Sequence, residues 1–179
     1  LVPQKPAPLV PAKWRFGLAE RVSASAEILT PLNIADLDPI LTQLAEEGVE
    51  SVAVCFLFSF LRPEHEMAVK ARLVEWGVVE SISISAEILP EYREYERTAT
   101  TVINAYVSPL MNRYLNRLAL GVAPRQLTIM QSNGGIMSAG TAGIEAARTC
   151  LSGPAGGVGG ARVVAQQAGL EQIITFDMG

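Results

Sequence analysis

Residues 49–85 leave few folds open to this chain. Val49 to Phe58 is nearly continuous apolar sequence with β-branched residues, Pro63 opens a helical pattern that runs to Trp76, and Ser81-Ile82-Ser83-Ile84-Ser85 alternates with the period of a strand. Strand, crossover helix and second strand in that order predict a β-α-β unit, parallel and right-handed. The 52–58 strand is the candidate central strand, because its apolar side chains contribute about 1.5–3 kcal/mol each once buried. The expected class is α/β, with mixed sheets and β-α-β crossovers.

The flanking segments fit that class. Residues 1–13 hold four prolines and read as an extended connector. Arg15–Val22 and Glu27–Leu29, around Ser23 to Ala26, predict two strands joined by a short turn. Leu37, Ile40, Leu41 and Leu44 form the stripe of an amphipathic helix ended by Gly48. Its start has two readings, a helix capped by Asn33 and kinked at Pro39, or one capped by Asp38 with Pro39 in the first turn.

Between residues 87 and 97 charge rises and the hydrophobic spacing disappears, which places a lobe boundary near residue 90: residues 1–90 on one side, 91–179 on the other. Beyond it Val102, Ile103, Tyr106, Leu110, Met111, Tyr114, Leu115 and Leu118 predict the buried stripe of a long helical region, with Pro109 placed to kink or restart it. A strand over Gln126–Gln131, a tight loop at Ser132-Asn133-Gly134-Gly135, and a short helix or turn over Ser138–Gly143 follow. A small-residue helix is expected from about Pro154 to Gln167, then a short buried strand Ile173–Phe176 that ends in Asp177 and Gly179. Five glycines in and before that helix, each unfavourable there by about 1 kcal/mol relative to Ala, predict a close approach that larger side chains would block.

Composition removes several functions. With 179 residues, 49% hydrophobic content and mean hydropathy of +0.27 the chain is globular. A net charge of −4 and only Lys5, Lys13 and Lys70 as lysines leave no basic surface for nucleic acid. The longest apolar run, Val52 to Leu61, is too short to span a bilayer, and no signal peptide is recognisable, so a cytoplasmic location is expected. Cys55 and Cys150 form no metal or redox pattern and read as two buried free thiols. His65, the sole histidine, reads as solvated. Walker, nucleophile-elbow and zinc-protease motifs are absent from the sequence.

Several motifs carry possible chemistry. Asp177 before Gly179 suits a turn that aims a carboxylate and backbone N–H groups at phosphate, and equally suits an ordinary turn former. Ser152, with Gly153, Gly156 and Gly157, reads either as a capped, anion-holding helix N-terminus or as a packing face. Gly157-Val158-Gly159-Gly160-Ala161-Arg162, with Asp177 further on, partly matches a dinucleotide fingerprint, which keeps an NAD-binding domain among the alternatives. Asn133, Gly134 and Gly135 suit a sheet-edge ligand loop or a plain Asn-Gly turn. Arg93 and Arg97, at i and i+4, can grip an anion together or sit on a solvated face.

Taken in order, Val-Ala-Val-Cys-Phe-Leu-Phe-Ser-Phe, Glu-Tyr-Arg-Glu-Tyr-Glu-Arg-Thr, Asn-Ala-Tyr-Val, Gln-Ser-Asn-Gly-Gly, Leu-Ser-Gly-Pro-Ala-Gly-Gly and Phe-Asp-Met-Gly resemble the hydantoinase/oxoprolinase A family of actin-like ATPases. The resemblance implies a fragment of a two-lobed ATPase, with residues 1–90 closing the first lobe and 91–179 opening the second, cut inside the second phosphate loop. It implies ATP and Mg²⁺ as cofactors. Asp177 would coordinate Mg²⁺ or orient water, and Gly179, Ser152, Gly153, Gly156 and Gly157 would lie at the nucleotide. Asn133, Gly134, Gly135, Arg93 and Arg97 would lie along the substrate cleft. The implied reaction is ring opening of a cyclic amide such as a hydantoin or 5-oxoproline through carbonyl phosphorylation. Alternatives are a ketone carboxylase subunit or a non-catalytic nucleotide-binding module, and a hydantoinase B-type subunit or domain is the implied partner. Lacking one phosphate turn and half of the other, the isolated chain is expected to hydrolyse no ATP; measurable magnesium-dependent turnover by the purified 179-residue chain would refute this.

Overall fold

The computed structural model describes residues 7–178. The chain divides into two compact units, Leu1–Pro109 and Leu110–Gly179.

In the first unit the expected hairpin is present as β1 (Arg21–Val22) and β2 (Ile28–Thr30), antiparallel. Each of the two readings of the next helix holds in part: Asn33 caps a 3-10 turn, Ile34–Leu37, by accepting from Ala35 N, and α1 (Asp38–Glu46) follows with Pro39 in its first turn, but Leu37 and not Asp38 occupies its N-cap position. The β-α-β unit is β3 (Ser51–Val54), α2 (Glu64–Trp76) and β4 (Ser81–Ile84), with β3 and β4 parallel in the register Ser51↔Ser81 to Val54↔Ile84. The first strand is shorter than the apolar run, because Phe58 takes a left-handed φ of 55° and its carbonyl accepts from Leu61 N and Arg62 N. That turn ends the extended backbone.

One face of the β3–β4 pair makes the apolar core. Val54 and Ile84 pack with Leu37, Leu41, Leu44, Val69 and Leu73, and Val52, Phe56 and Ile82 add to them. The opposite face is polar and equally buried. It receives the first half of α4 (Glu94–Val122), which contains Pro109. Asn104 Nδ2 donates to Ser83 Oγ at 2.9 Å and to Ser108 Oγ at 3.2 Å, while Ser51 Oγ donates to the Ala105 carbonyl at 2.6 Å. Thr101 Oγ1 caps the Arg97 carbonyl at 2.7 Å.

The expected apolar stripe of this helix is therefore corrected for the part before Pro109, while Leu115 and Met111 of that stripe do enter the second unit's core. The side buried in the first unit is Arg97, Thr101, Asn104, Ala105 and Ser108, and Tyr106 is 66% exposed. These positions follow helical spacing, but their short hydroxyl and amide groups read as solvent-facing in a pattern search that counts only apolar residues.

Between β3, β4 and α4 lies a short helix, α3 (Ser85–Ile88), and a buried relay of polar groups. Glu66 accepts from Phe56 N at 2.7 Å, from Ser85 Oγ at 2.7 Å and from Ala86 N at 2.8 Å. The Ser59 and Ser85 hydroxyls are 3.0 Å apart. Arg97 donates from Nη1 to Ser59 Oγ at 2.6 Å and from Nη2 to the Phe56 carbonyl at 2.8 Å, and its guanidinium lies over the Phe60 ring. Since Ser85 gives its only proton to Glu66, Ser59 must donate to Ser85, so the relay runs in one direction from Arg97 to Glu66.

The second unit holds the remainder of α4, β5 (Thr128–Met130) and β6 (Ile136–Ser138) as an antiparallel hairpin, then α5 (Ala139–Ile144) and α6 (Ser152–Gln167). Leu115, Met137 and Ala142 form its core with Met111, Ile129 and Ala139. Gly143 meets Asn112 so closely that a Cβ there would collide with the side-chain amide.

Removing the acceptor at the end of the relay tests its weight. Glu66→Ala strands two backbone N–H groups and leaves Arg97 without a counter-charge, and is expected to lower stability by about 3–5 kcal/mol. Ser59→Ala is expected to lower it by about 1–3 kcal/mol. Urea unfolding followed by circular dichroism checks both, and equal midpoints for Glu66→Ala and the parent sequence would contradict the assignment.

Candidate functional site

Sequence reasoning marks candidates in both units. Arg97 lies in the first unit and is 1% exposed, its guanidinium spent on Ser59, Phe56 and Phe60, with Nε unpartnered. Arg93, one turn earlier, is exposed and points instead at Glu96, 3.9 Å away, and at the Tyr92 ring. The two arginines do not converge, so the joint anion grip that their spacing allows is not formed, and the alternative of a solvated face holds for Arg93 alone, since Arg97 faces the core.

Asn133, Gly134 and Gly135 are brought together at the tip of the β5–β6 hairpin. Sequence reading expects a loop at the end of a strand but not the returning strand β6. The tip is closed on itself: Gln131 N donates to the Gly135 carbonyl at 2.8 Å, Gly134 N to the Gln131 carbonyl at 3.0 Å, and Gly135 N to Asn133 Oδ1 at 2.8 Å. Gly134 has φ of 84°, a conformation that favours glycine. Ser132 N is anchored to the Arg148 carbonyl at 2.8 Å. All three candidates are exposed, with the Asn133 oxygen already used inside its own turn.

The small-residue helix forms as expected but starts differently. Leu151, with a left-handed φ of 62°, occupies the N-cap position, and no side chain caps the helix. Ser152 is thus its first residue and not its cap. A Cβ added at Gly156 would lie 3.9 Å from the Met130 side chain, an ordinary contact, and one added at Gly153, Gly157, Gly159 or Gly160 would meet open space. The expected close approach is not made among the described residues. Gly157 to Gly160 lie inside the helix, and the residues before it form a 3-10 turn, Ala146–Thr149. A dinucleotide fingerprint needs its glycines in the turn between a strand and a helix, so this arrangement does not support an NAD site.

Residues 173–176 are not a strand. Ile174 is 97% exposed and Phe176 86%, and no strand among the described residues pairs with them. An apolar run becomes a strand only where another strand supplies its hydrogen bonds. Asp177 is exposed beyond this segment, and Gly179 lies outside the described residues. Among the described residues no three His, Cys, Asp or Glu side chains gather as a metal site. A lone carboxylate on an exposed segment does not fit a magnesium centre. Nor, among the described residues, is any helix long and apolar enough to cross a membrane.

Three titratable positions depart from expectation or escaped it. His65 is not solvated: its Nδ1 lies 2.8 Å from Glu20 Oε2, with both side chains largely buried. Cys150 is exposed, not buried. Glu66, fully buried, gave no signal in the sequence beyond its place in the first turn of α2. Burial, reinforced by the Glu66 charge, pushes the Cys55 thiol up from 9.0 to about 11.

A two-unit α/β chain with a helix-covered parallel pair and a glycine-rich helix is the class these observations define. The signature described as Hydantoinase/oxoprolinase N-terminal region matches residues 3–77, and that described as Hydantoinase/oxoprolinase matches residues 97–179. The chain belongs to the hydantoinase/oxoprolinase family. It is 34% identical to the caprolactamase subunit alpha of Pseudomonas jessenii over 96% of this chain and 25% of that protein. It is also 34% identical to the 5-oxoprolinase of Saccharomyces cerevisiae over 78% of this chain and 11% of that one. The crystal structure of the ATP-dependent caprolactamase superposes with a TM-score of 0.82 at 30% identity, covering 99% of this chain and 26% of that one. A nucleotide-free acetone carboxylase structure gives 0.79 at 27% identity, covering 93% and 24%. The chain therefore spans about a quarter or less of the length of these relatives.

The two thiols provide a check on the packing around the relay. At pH 8 iodoacetamide is expected to alkylate Cys150 readily and Cys55 very slowly. Because the folded state holds Cys55 neutral up to about 11, its stabilising contribution is complete below pH 9.0 and is lost as pH rises toward about 11. Urea midpoints measured from pH 8 to 11 should fall over that window, and Cys55→Ala should flatten part of the fall. Rapid labelling of Cys55 at pH 8 in the folded chain would contradict this.

Proposed function

We propose that this chain is part of an ATP-dependent enzyme that opens cyclic amides. The observation that supports the reading best is the agreement with the ATP-dependent caprolactamase over 99% of this chain. An amide carbonyl is a poor electrophile. In the proposed reaction its oxygen attacks the γ-phosphorus of ATP and ADP departs. Water then adds to the carbonyl carbon, the ring nitrogen takes up a proton and leaves as the amine to give an acyl phosphate, and a second water hydrolyses the acyl phosphate to the amino acid and inorganic phosphate. Protein groups contribute by positioning the reactants and stabilising developing charge.

Within that reading Asp177 orients the attacking water or the phosphoryl group, and backbone N–H groups at the uncapped start of α6, from Ser152 and Gly153 onward, face phosphate oxygens. Gly156, Gly157 and Gly179 belong to the same nucleotide region, with Asn133, Gly134, Gly135 and Arg93 as the cleft candidates. Arg97 acts only through the relay that holds the start of α4. A second subunit of hydantoinase B type is the proposed partner, in keeping with the subunit naming of the caprolactamase relative. Ketone activation before carboxylation is the second reading, favoured by the acetone carboxylase likeness.

A polypeptide of the relatives' full length, supplied with its partner subunit, separates the two readings. ATP turnover is expected to be stimulated by caprolactam, 5-oxoproline or hydantoin, and Asp177→Asn is expected to reduce that stimulated rate about 10²–10³-fold. Stimulation only by acetone or acetophenone with bicarbonate would transfer the assignment to ketone carboxylation, and no stimulation by either class would end both.

A further inference from the structure

The glycine-rich helix α6 ends in a turn that reverses the chain over its last residues. Gly169 takes a left-handed φ of 70°, its N–H donates to the Gln166 carbonyl at 3.2 Å, and Leu170 N donates to the Ala165 carbonyl at 2.9 Å. Arg162, Ala165 and Gln166 on the helix, with Leu170, Glu171 and Ile173 after the turn, line an open cavity of about 520 Å³. That is the ordinary size of a small-molecule site, and it lies wholly within the second unit.

Its lining divides by charge. Ala165, Leu170 and Ile173 supply apolar surface, and one charge of each sign is present, Arg162 on the helix and Glu171 after the turn. From Arg162 to Gly169 the helix rises about 10 Å, so the cation is set back from the turn. Glu171 follows the turn at the C-terminal end of α6, where the carbonyl ends of the helix also favour a positive group. Both side chains are exposed, and among the described residues neither has an ion-pair or side-chain hydrogen-bond partner. Each charge is therefore available to a ligand without loss of an internal contact. Two separated, opposite charges over apolar surface complement a zwitterion with its ammonium and carboxylate at the two ends of an aliphatic chain. A simple α-amino acid carries both charges on one carbon and cannot reach both ends.

We infer that this cavity binds an ω-amino acid, its carboxylate on Arg162, its ammonium on Glu171, and its methylene chain over Ala165, Leu170 and Ile173. Gln166, one turn on from Arg162, adds an amide donor. Opening an aliphatic lactam yields this class of molecule, so the choice of ligand rests on the proposed reaction, whereas the site rests on its lining alone. The 16 residues of α6 put its two ends about 24 Å apart. A product held at the C-terminal end thus leaves the nucleotide region proposed at the other end free.

The test uses a polypeptide of the relatives' full length with its partner subunit. Calorimetric titration with 6-aminohexanoate, the opened form of caprolactam, is expected to show a binding event that Arg162→Gln and Glu171→Gln each weaken by about tenfold or more. Caprolactam-stimulated ATP turnover is expected to stay within about twofold in both variants, which separates this site from the reaction centre. Hexanoate binding should respond to Arg162→Gln alone, hexylamine binding to Glu171→Gln alone, and Arg162→Lys should keep most of the affinity for 6-aminohexanoate. Absence of 6-aminohexanoate binding, binding that neither variant changes, or variants that depress turnover as much as binding would each overturn the inference. Binding that depends on Arg162 and Glu171 in a protein whose ATP turnover no lactam stimulates would uphold the site and end the proposed reaction.

Discussion

The first unit depends on one buried carboxylate and the donors it gathers. Glu66 sits in the first turn of α2, yet its oxygens are filled by the backbone just after β3, the first turn of α3 and the Ser85 hydroxyl. Arg97 closes the other end of the relay through Ser59 and the Phe56 carbonyl. Moving two charges out of water is unfavourable by several kcal/mol per ion, and the arrangement persists because nearly every polar atom finds a partner; only Arg97 Nε does not. What the relay gives in return is geometry. It ties the turn after β3, the start of α3 and the start of α4 to one point, which an apolar contact of the same volume would not do with the same direction.

That constraint explains why the parallel pair has one apolar and one polar buried face. The Ser-Ile-Ser-Ile-Ser alternation of residues 81–85 correctly indicates a strand, but alternation normally implies that the polar side meets water. Here Ser83 and Ser85 are buried, facing Asn104 and the relay. The information was present in two places: serines at every second position of β4, and Arg97, Thr101, Asn104 and Ser108 at helical spacing in α4. Each stripe alone reads as solvated, and only their pairing makes both internal. The apolar stripe of α4 read from sequence holds for Leu115 and Met111 in the second unit and fails before Pro109, because hydrophobicity is a poor criterion where hydrogen bonds join two elements.

Legibility was greatest where local chemistry decides the outcome. The β-α-β unit, the hairpin before it, the Asn33 cap and the glycine-rich helix follow from short-range pattern and steric preference. Boundaries failed where a single backbone angle intervened, as at Phe58 and Leu151, because a left-handed φ at a bulky residue has no signature in composition. Cys150 and His65 were misplaced for a related reason: burial of an isolated residue is set by what packs over it. Ile173 to Phe176 has the composition of a strand and the exposure of a segment with no strand to join. Pattern supplies half of a sheet interaction, and the partner supplies the rest.

In parallel α/β sheets ligands gather outside the carboxyl ends of the strands. In the first unit that position is taken by the turn after Phe56 and by Ser85, and both are committed to the relay, with Glu66 already receiving three donors. A ligand arriving there would have to displace internal hydrogen bonds between buried groups. The second unit differs. Its α6 begins without a side-chain cap, so first-turn N–H groups remain without intrahelical acceptors, and its hairpin tip holds its shape through its own backbone and Asn133. A rigid tip and an uncapped helix start can meet a phosphate-bearing ligand without first breaking anything, which is why the nucleotide-facing role is proposed for this unit and a positioning role for the first.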